Sequence, residues 1–337
     1  MRLTRFFAAA SLCLCLGQNP AFAGARTFAN PVAERGADPW VIRFQTNYFL
    51  CQSASFNNAV KVNRAARLED IGQDHWSIVW KAPKGTAYSK QIWAPELRRL
   101  RGKWYIYVAA DDGNNADHRM YVLEGDSEDP QGIFSFKGKI AAPTDRWAID
   151  GTVLEMPDEK LYFIWSGWEG TNDVAQNLYI APMSNPWTIS GERVCLSRPE
   201  FDWEKRDQPP INEGPETLWH NGKLFIIYSA SGAWGDDYCL GQLQWNGGDV
   251  LNPQSWTKKP APVFSSTKTV FGPGHCSFTK SPDGTEDWIV YHAHVRQGSG
   301  WSRDIRIQPF TWNADGSPNF GQPVAPQTPL PVPSGEN

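Results

Sequence analysis

Five segments of the chain repeat one arrangement of apolar and polar positions. Each opens on a small or acidic residue, runs through a first extended stretch, turns, and continues into a strongly apolar stretch that ends in small polar residues. They read DPWVIRFQTNYFLCQSAS from Asp38, APELRRLRGKWYIYVAAD from Ala94, DGTVLEMPDEKLYFIWSG from Asp150, EGPETLWHNGKLFIIYSAS from Glu213 and GHCSFTKSPDGTEDWIVYHAH from Gly274. The heads lie 56, 56, 63 and 61 residues apart, a regular period of the kind that marks repeat architectures.

Turn signals split each segment. Arg101-Gly102-Lys103, Pro157-Asp158-Glu159-Lys160, Asn221-Gly222-Lys223 and Pro282-Asp283-Gly284 each separate two apolar runs, as hairpin connections do. Runs such as Trp104–Val108 and Leu224–Tyr228 are aromatic and β-branched, too short for helices and apolar on both faces, which predicts buried strands. Few stretches carry a 3.6-residue period, so a parallel sheet with crossover helices is disfavoured. A sandwich has no need of five similar units at near-constant spacing, whereas a propeller gives every repeat the same environment around a channel. The expected fold is all-β: a single-domain, five-bladed β-propeller over residues 24–325, followed by a Pro-rich tail over 326–337.

The first 23 residues carry Arg2 and Arg5, an apolar run and Ala21-Phe22-Ala23, the layout of a cleavable secretory signal. Export is expected, to the periplasm or the medium, with no membrane attachment after cleavage. Losing Arg2 and Arg5 takes the formal net charge from −4 to about −6. No basic stripe exists to bind nucleic acid. Cys51, Cys195, Cys239 and Cys276 lie in no C-x-x-C pair; one or two disulfides are permitted, in pairings the sequence leaves open. The 17 tryptophans are expected mostly in the core, with some free to stack on sugar faces.

In a propeller the innermost strand of each blade runs along the channel, so the heads converge on one funnel mouth. Asp38, Asp150 and Glu213 are expected to meet there. Pro39 restrains Asp38 to extended geometry at a strand entrance. Two carboxylates across a glycosidic bond can protonate the leaving oxygen and activate water, and a third raises the donor's pKa. His275, at the fifth head, is expected to point down the axis and hold an ion or a water. His292 and His294, two apart on one strand, form a weaker chelating pair. Asp111–His118 (DDGNNADH) lacks calcium-loop spacing and is expected as a solvated loop near the funnel.

The motifs ADPW, IWAPEL, AIDGTV, NEGPE and GPGHCSF, in that order, resemble glycoside hydrolase family 43, which contains arabinofuranosidases, arabinanases and β-xylosidases; the resemblance spans roughly residues 35–325. It implies a five-bladed propeller and an inverting hydrolysis needing no cofactor. Asp38 then matches the general base, Asp150 the acid that modulates pKa and orients the donor, and Glu213 the general acid, with Glu216 a rival. His275 matches a histidine near an axial metal, often calcium. Arg306 resembles a pocket-lining basic residue, and Trp40 and Trp93 are expected in the pocket wall or the core. The resemblance implies an exo-acting α-L-arabinofuranosidase trimming arabinan or arabinoxylan side chains, so the expected partner is a plant cell-wall polysaccharide or arabino-oligosaccharide. The alternatives are a β-xylosidase, an endo-α-1,5-arabinanase, or a propeller that binds glycans without cleaving them. Ser281–Trp288 superficially resembles a sialidase Asp-box, but it does not recur.

Overall fold

The computed structural model describes residues 26–336; the expected signal sequence lies outside them. Five antiparallel sheets follow one another along the chain, each built in simple up-and-down order from sequential strands. Blade I holds Trp40–Phe44, Asn47–Ser53, Ala59–Ala65 and Trp76–Lys81. Blade II holds Lys90–Leu100, Lys103–Asp111, Arg119–Gly125 and Phe134–Ile140. Blade III holds Ala148–Glu155, Leu161–Gly167 and Asn177–Asn185, with Thr188–Ile189 and Val194–Ser197 both pairing the last of these. Blade IV holds Asn212–His220, Lys223–Ala230, Cys239–Trp245 and Trp256–Lys258, and blade V holds Phe271–Lys280, Asp287–His294, Arg303–Trp312 and Pro318–Asn319. This is the five-bladed β-propeller the repeat predicts.

The turn chemistry explains the pairing. Arg101-Gly102 and Asn221-Gly222 both take positive φ, the geometry of a two-residue type I′ hairpin, and set the registers Leu100↔Lys103 and His220↔Lys223. The apolar runs they launch are buried on both faces: Ile106, Tyr107, Val108, Phe225, Ile226 and Ile227 are fully inaccessible. Alternate residues of one strand therefore pack against different neighbouring blades, as Ile106 and Val108 do in the core between blades I and II while Tyr107 and Ala109 do in the core between blades II and III.

The two ends of the described chain meet. Thr27–Phe28 pairs antiparallel with Leu330–Pro331, Ala33 bridges Ile305 of blade V, and Glu336 Oε1 accepts the N–H of Leu68, beside blade I, at 2.9 Å. The Pro-rich segment thus runs against blades I and V. Among the described residues Cys51, Cys195, Cys239 and Cys276 are free thiols, all but Cys195 buried.

Candidate active site

One backbone device recurs in the blades. Asp38, Ala94, Asp150, Gly214 and His275 all take positive φ near the head of the innermost strand, so Asp38 is left-handed and not in the extended geometry expected from Pro39. In blades II to V the residue sits at a register shift where the first strand bulges away from the second. A bulge adds a residue and re-aims a side chain; for the four non-glycine residues the left-handed conformation costs on the order of 1 kcal/mol each. Glu213 stands one residue before the equivalent position, because Gly214 takes the turn. A Cβ on Gly214 would lie 3.2 Å from the His275 ring, so glycine there also leaves room for the histidine.

The left-handed turns bring Asp38, Asp150, Glu213 and His275 together in the wall of one cavity of about 1130 Å³, with Trp93, Trp147 and Arg303. Asp38 Oδ1 accepts from Arg303 Nη1 at 3.1 Å, and His275 Nδ1 lies 3.3 Å from the same oxygen. Asp150 Oδ2 accepts the N–H of Gly214 at 3.1 Å. Tyr238 donates its hydroxyl to Glu213 Oε1 at 2.9 Å.

These surroundings divide the acids. Burial alone would raise the pKa of Asp38, but the charge of Arg303 and the nearby His275 and His292 outweigh it and hold the carboxyl well below the usual range. Burial pushes Glu213 up to about 7, opposed by the Tyr238 hydroxyl and helped by the Asp38 charge. Burial likewise pushes Asp150 up to about 7, with His275 opposing and Glu213 and Asp38 adding to it. One carboxylate is ionised beside two acids that keep a proton near neutrality, the pattern that divides a base from a donor.

Other expected residues fall elsewhere. Glu216 lies outside the cavity wall, its Oε1 3.0 Å from Arg98 Nη2. Trp93 is on the wall, stacked on His118 with centroids 4.0 Å apart. Trp40 is buried: its indole donates to the Leu97 carbonyl at 2.5 Å and its ring carries Arg98 at 4.3 Å. It lines a separate cavity of about 410 Å³. Arg306 is 2 % exposed and locked to Asp304 through Nε and Nη2 at 2.6 and 2.9 Å; the guanidinium on the cavity is Arg303. The two arginines are three apart on one strand and so face opposite sides of the sheet.

His292 and His294 do not chelate together. His292 Nδ1 accepts the backbone N–H of Asp38 at 3.1 Å, whereas His294 Nδ1 lies 2.9 Å from Asp236 Oδ1. The stretch after Asp111 is only partly a solvated loop, because Asp111 and His118 are fully buried, with His118 Nδ1 3.0 Å from Asp111 Oδ2. Backbone bonds help burial of both, from the Gly113 N–H to Asp111 Oδ1 at 2.7 Å and between His118 Nε2 and the Gln91 carbonyl at 3.1 Å, and His118 stacks on Trp93.

No group of three or more His, Cys, Asp or Glu suited to a metal occurs among the described residues. Calcium takes oxygen ligands whereas His275 offers a nitrogen, no caged site for the ion is built among the described residues, and no chemical step is routed through it.

Sequence reasoning missed Arg303, Tyr238, Trp147 and the rim tryptophans Trp234 and Trp301, and it singled out His292 only as a chelator. Of these, only Arg303 left a usable signal, since strand alternation separates it from Arg306.

Residues 28–318 match the model for glycosyl hydrolases family 43. The chain belongs to that family. This family 43 glycoside hydrolase is 38 % identical, over 96 % of its own length and 71 % of the relative's, to a protein of Streptomyces avermitilis named an extracellular exo-α-(1→5)-L-arabinofuranosidase. A protein of Humicola insolens named an α-L-arabinofuranosidase is 33 % identical over 98 % of the hydrolase and 69 % of the relative. The crystal structure of an α-L-arabinofuranosidase from Lactobacillus brevis superposes with a TM-score of 0.82 at 37 % identity, covering 89 % of the hydrolase and 98 % of that chain.

Proposed function

We propose that this family 43 enzyme is an exported, inverting, exo-acting α-L-arabinofuranosidase that removes terminal arabinofuranose from arabinan or arabinoxylan side chains. The observation that carries the reading is the opposed ionisation of Asp38 and Glu213 on one cavity.

Asp38, ionised, takes a proton from water as the water oxygen bonds to the anomeric carbon. Glu213, protonated, gives its proton to the glycosidic oxygen as the bond to that carbon breaks. Asp150, held by the Gly214 N–H, stands beside Glu213 and orients the donor. One water is consumed and one proton moves through each catalytic side chain, so both return to their starting state after product release and one proton exchange. Trp93 and Trp147 supply apolar faces for the bound sugar.

The sugar assignment is supported by relatives named as arabinofuranosidases at 33 and 38 % identity, and the exo assignment by the name of the Streptomyces avermitilis relative. That relative's name also supports export, as does the signal-like first segment. No helix among the described residues is long and apolar enough to cross a membrane. A hydrated calcium ion near His275 belongs to the proposal as a structural element only, and chelation is expected to lower the melting temperature.

Hydrolysis of 4-nitrophenyl α-L-arabinofuranoside and 4-nitrophenyl β-D-xyloside by wild type and Asp38→Asn, with product analysis on linear arabinan, tests the reading. Arabinoside turnover that Asp38→Asn loses, with free arabinose the sole arabinan product, is the expected result. Preference for the xyloside would make the enzyme a β-xylosidase, release of oligosaccharides an endo-arabinanase, and binding without turnover a glycan-binding propeller.

A further inference from the structure

The cavity presents more aromatic surface than one sugar ring can cover. Beyond Trp93 and Trp147, its wall includes Trp234, on the loop after the second strand of blade IV, and Trp301, just before the third strand of blade V. Their ring centroids lie 5.6 Å apart at an interplanar angle of 49°, so the two indoles form an open V. Trp301 is 65 % exposed, so part of its ring is open at the rim of the cavity. The Arg303 guanidinium lies 5.3 Å from the Trp301 ring centroid and donates to Asp38. A single side chain therefore separates the exposed indole from the general base.

The V is built from the backbone outward. Asp207 Oδ2 accepts the N–H of Gly232 at 3.0 Å, and a Cβ on Gly232 would sit 2.5 Å from the Trp234 ring, so glycine is what lets that ring fold back over its own loop. Asp236 pairs with His294 Nδ1 at 2.9 Å, and His294 Nε2 meets the Ala233 carbonyl at 3.1 Å. The Asp236 carboxylate also accepts the N–H of Gly298 at 3.0 and 3.1 Å from its two oxygens. One imidazole and one carboxylate thus tie the loop carrying Trp234 to the turn carrying Trp301.

We propose that Trp234 and Trp301 form a second sugar subsite, which holds by ring stacking the pentose residue on the leaving-group side of the scissile bond. When the terminal ring sits among Asp38, Asp150 and Glu213, the remainder of the chain leaves through the rim, and on the side of blades IV and V that rim is these two indoles. A sugar presents an apolar C–H face, and flat amphipathic rings bind it with little loss of side-chain freedom. The subsite makes the enzyme selective for oligosaccharides over simple glycosides, and His294 and Asp236 act as positioning residues for it. The inference rests on the glycosidase reading and on the exo mode.

The test compares kcat/KM for linear α-1,5-arabinotriose with kcat/KM for methyl α-L-arabinofuranoside in wild type, Trp301→Ala, Trp234→Ala and Trp301→Phe. The triose-to-methyl ratio is expected to fall roughly tenfold or more in each alanine variant, chiefly through KM for the triose, and to recover largely in Trp301→Phe. A ratio equal to that of wild type in both alanine variants, whether or not overall activity drops, overturns the subsite. Failure of wild type to cleave either arabinoside overturns the function proposed above instead, and the same ratio is then read with xylotriose and methyl β-D-xyloside.

Discussion

The backbone N–H of Asp38 donates to Nδ1 of His292 across 3.1 Å. A ring nitrogen that accepts this bond carries no hydrogen, so the ring hydrogen sits on Nε2. Burial and the charge of Arg303 push the His292 pKa down to about 3, and the neutral ring orients Asp38 without neutralising it. The carboxylate is kept ionised chiefly by Arg303, its Nη1 3.1 Å from Oδ1, with His275 Nδ1 3.3 Å from the same oxygen. The base is thus aimed by one partner and kept ionised by another.

Tyr238 holds the proposed donor, Glu213. Hydrolysis needs Glu213 protonated, so kcat/KM should fall as pH rises past about 7, the value to which burial lifts this carboxyl. The Tyr238 hydroxyl stabilises the ionised form, and Tyr238→Phe removes that bond while keeping the ring stacked on His292 at 5.5 Å. The basic limb of the pH profile should move to higher pH in the variant. A limb that stays in place or moves down would show that Tyr238 does not act on the donor.

Asp150 should cost stability at alkaline pH. Burial raises its pKa from 3.8 to about 7 in the folded protein, so the folded state binds more protons than the unfolded chain between those values. Stability contributed under acid conditions is then lost as pH rises through that window. Asp150→Asn keeps an oxygen for the Gly214 N–H and removes the titration. The variant should melt a few degrees above wild type at pH 8, with the gap closing toward pH 4, and should lose most activity; thermal melts across pH check this.

Glu216 sits in a brace around Arg98, away from the cavity wall. Arg98 sits between Glu96 Oε2 at 3.3 Å and Glu216 Oε1 at 3.0 Å, and it also bonds Thr152, tying the inner strands of blades II, III and IV. Arg98→Met would leave two buried carboxylates without their counter-charge, which should cost about 3–5 kcal/mol in chemical denaturation. Glu216→Gln should lower stability while leaving the dependence on leaving group unchanged. A donor-type dependence in that variant would reverse the assignment of Glu213.

The legible parts of this molecule are those the repeat governs. Asp38, Asp150 and Glu213 could be read from the chain because each blade places its head at the same point, through the same left-handed residue. Trp40 looked like a wall residue through its nearness to Asp38, yet as the first residue of its strand it turns into the packing between blades I and II. Arg306 rests on resemblance alone, and strand alternation shows why Arg303, on the other face, reaches the cavity. Trp147, Trp234 and Trp301 were not legible at all. Trp147 lies just before an inner strand and the other two on loops between strands, and contacts far away in sequence fix them, such as Asp236 with His294 and Trp147 stacked on Trp168. Asp111 and His118 read as polar loop residues because only the fold reveals that each is the other's partner.

The division of labour between Asp38 and Glu213 is tested most directly by the leaving-group dependence of kcat/KM in Glu213→Gln. A series of aryl α-L-arabinofuranosides from nitrophenyl to unactivated phenyl, completed by arabinobiose, spans leaving groups that do and do not need protonation. The variant should lose roughly 10²–10⁴-fold on arabinobiose and far less on the nitrophenyl substrate. An equal loss across the series would contradict the assignment of Glu213 as proton donor.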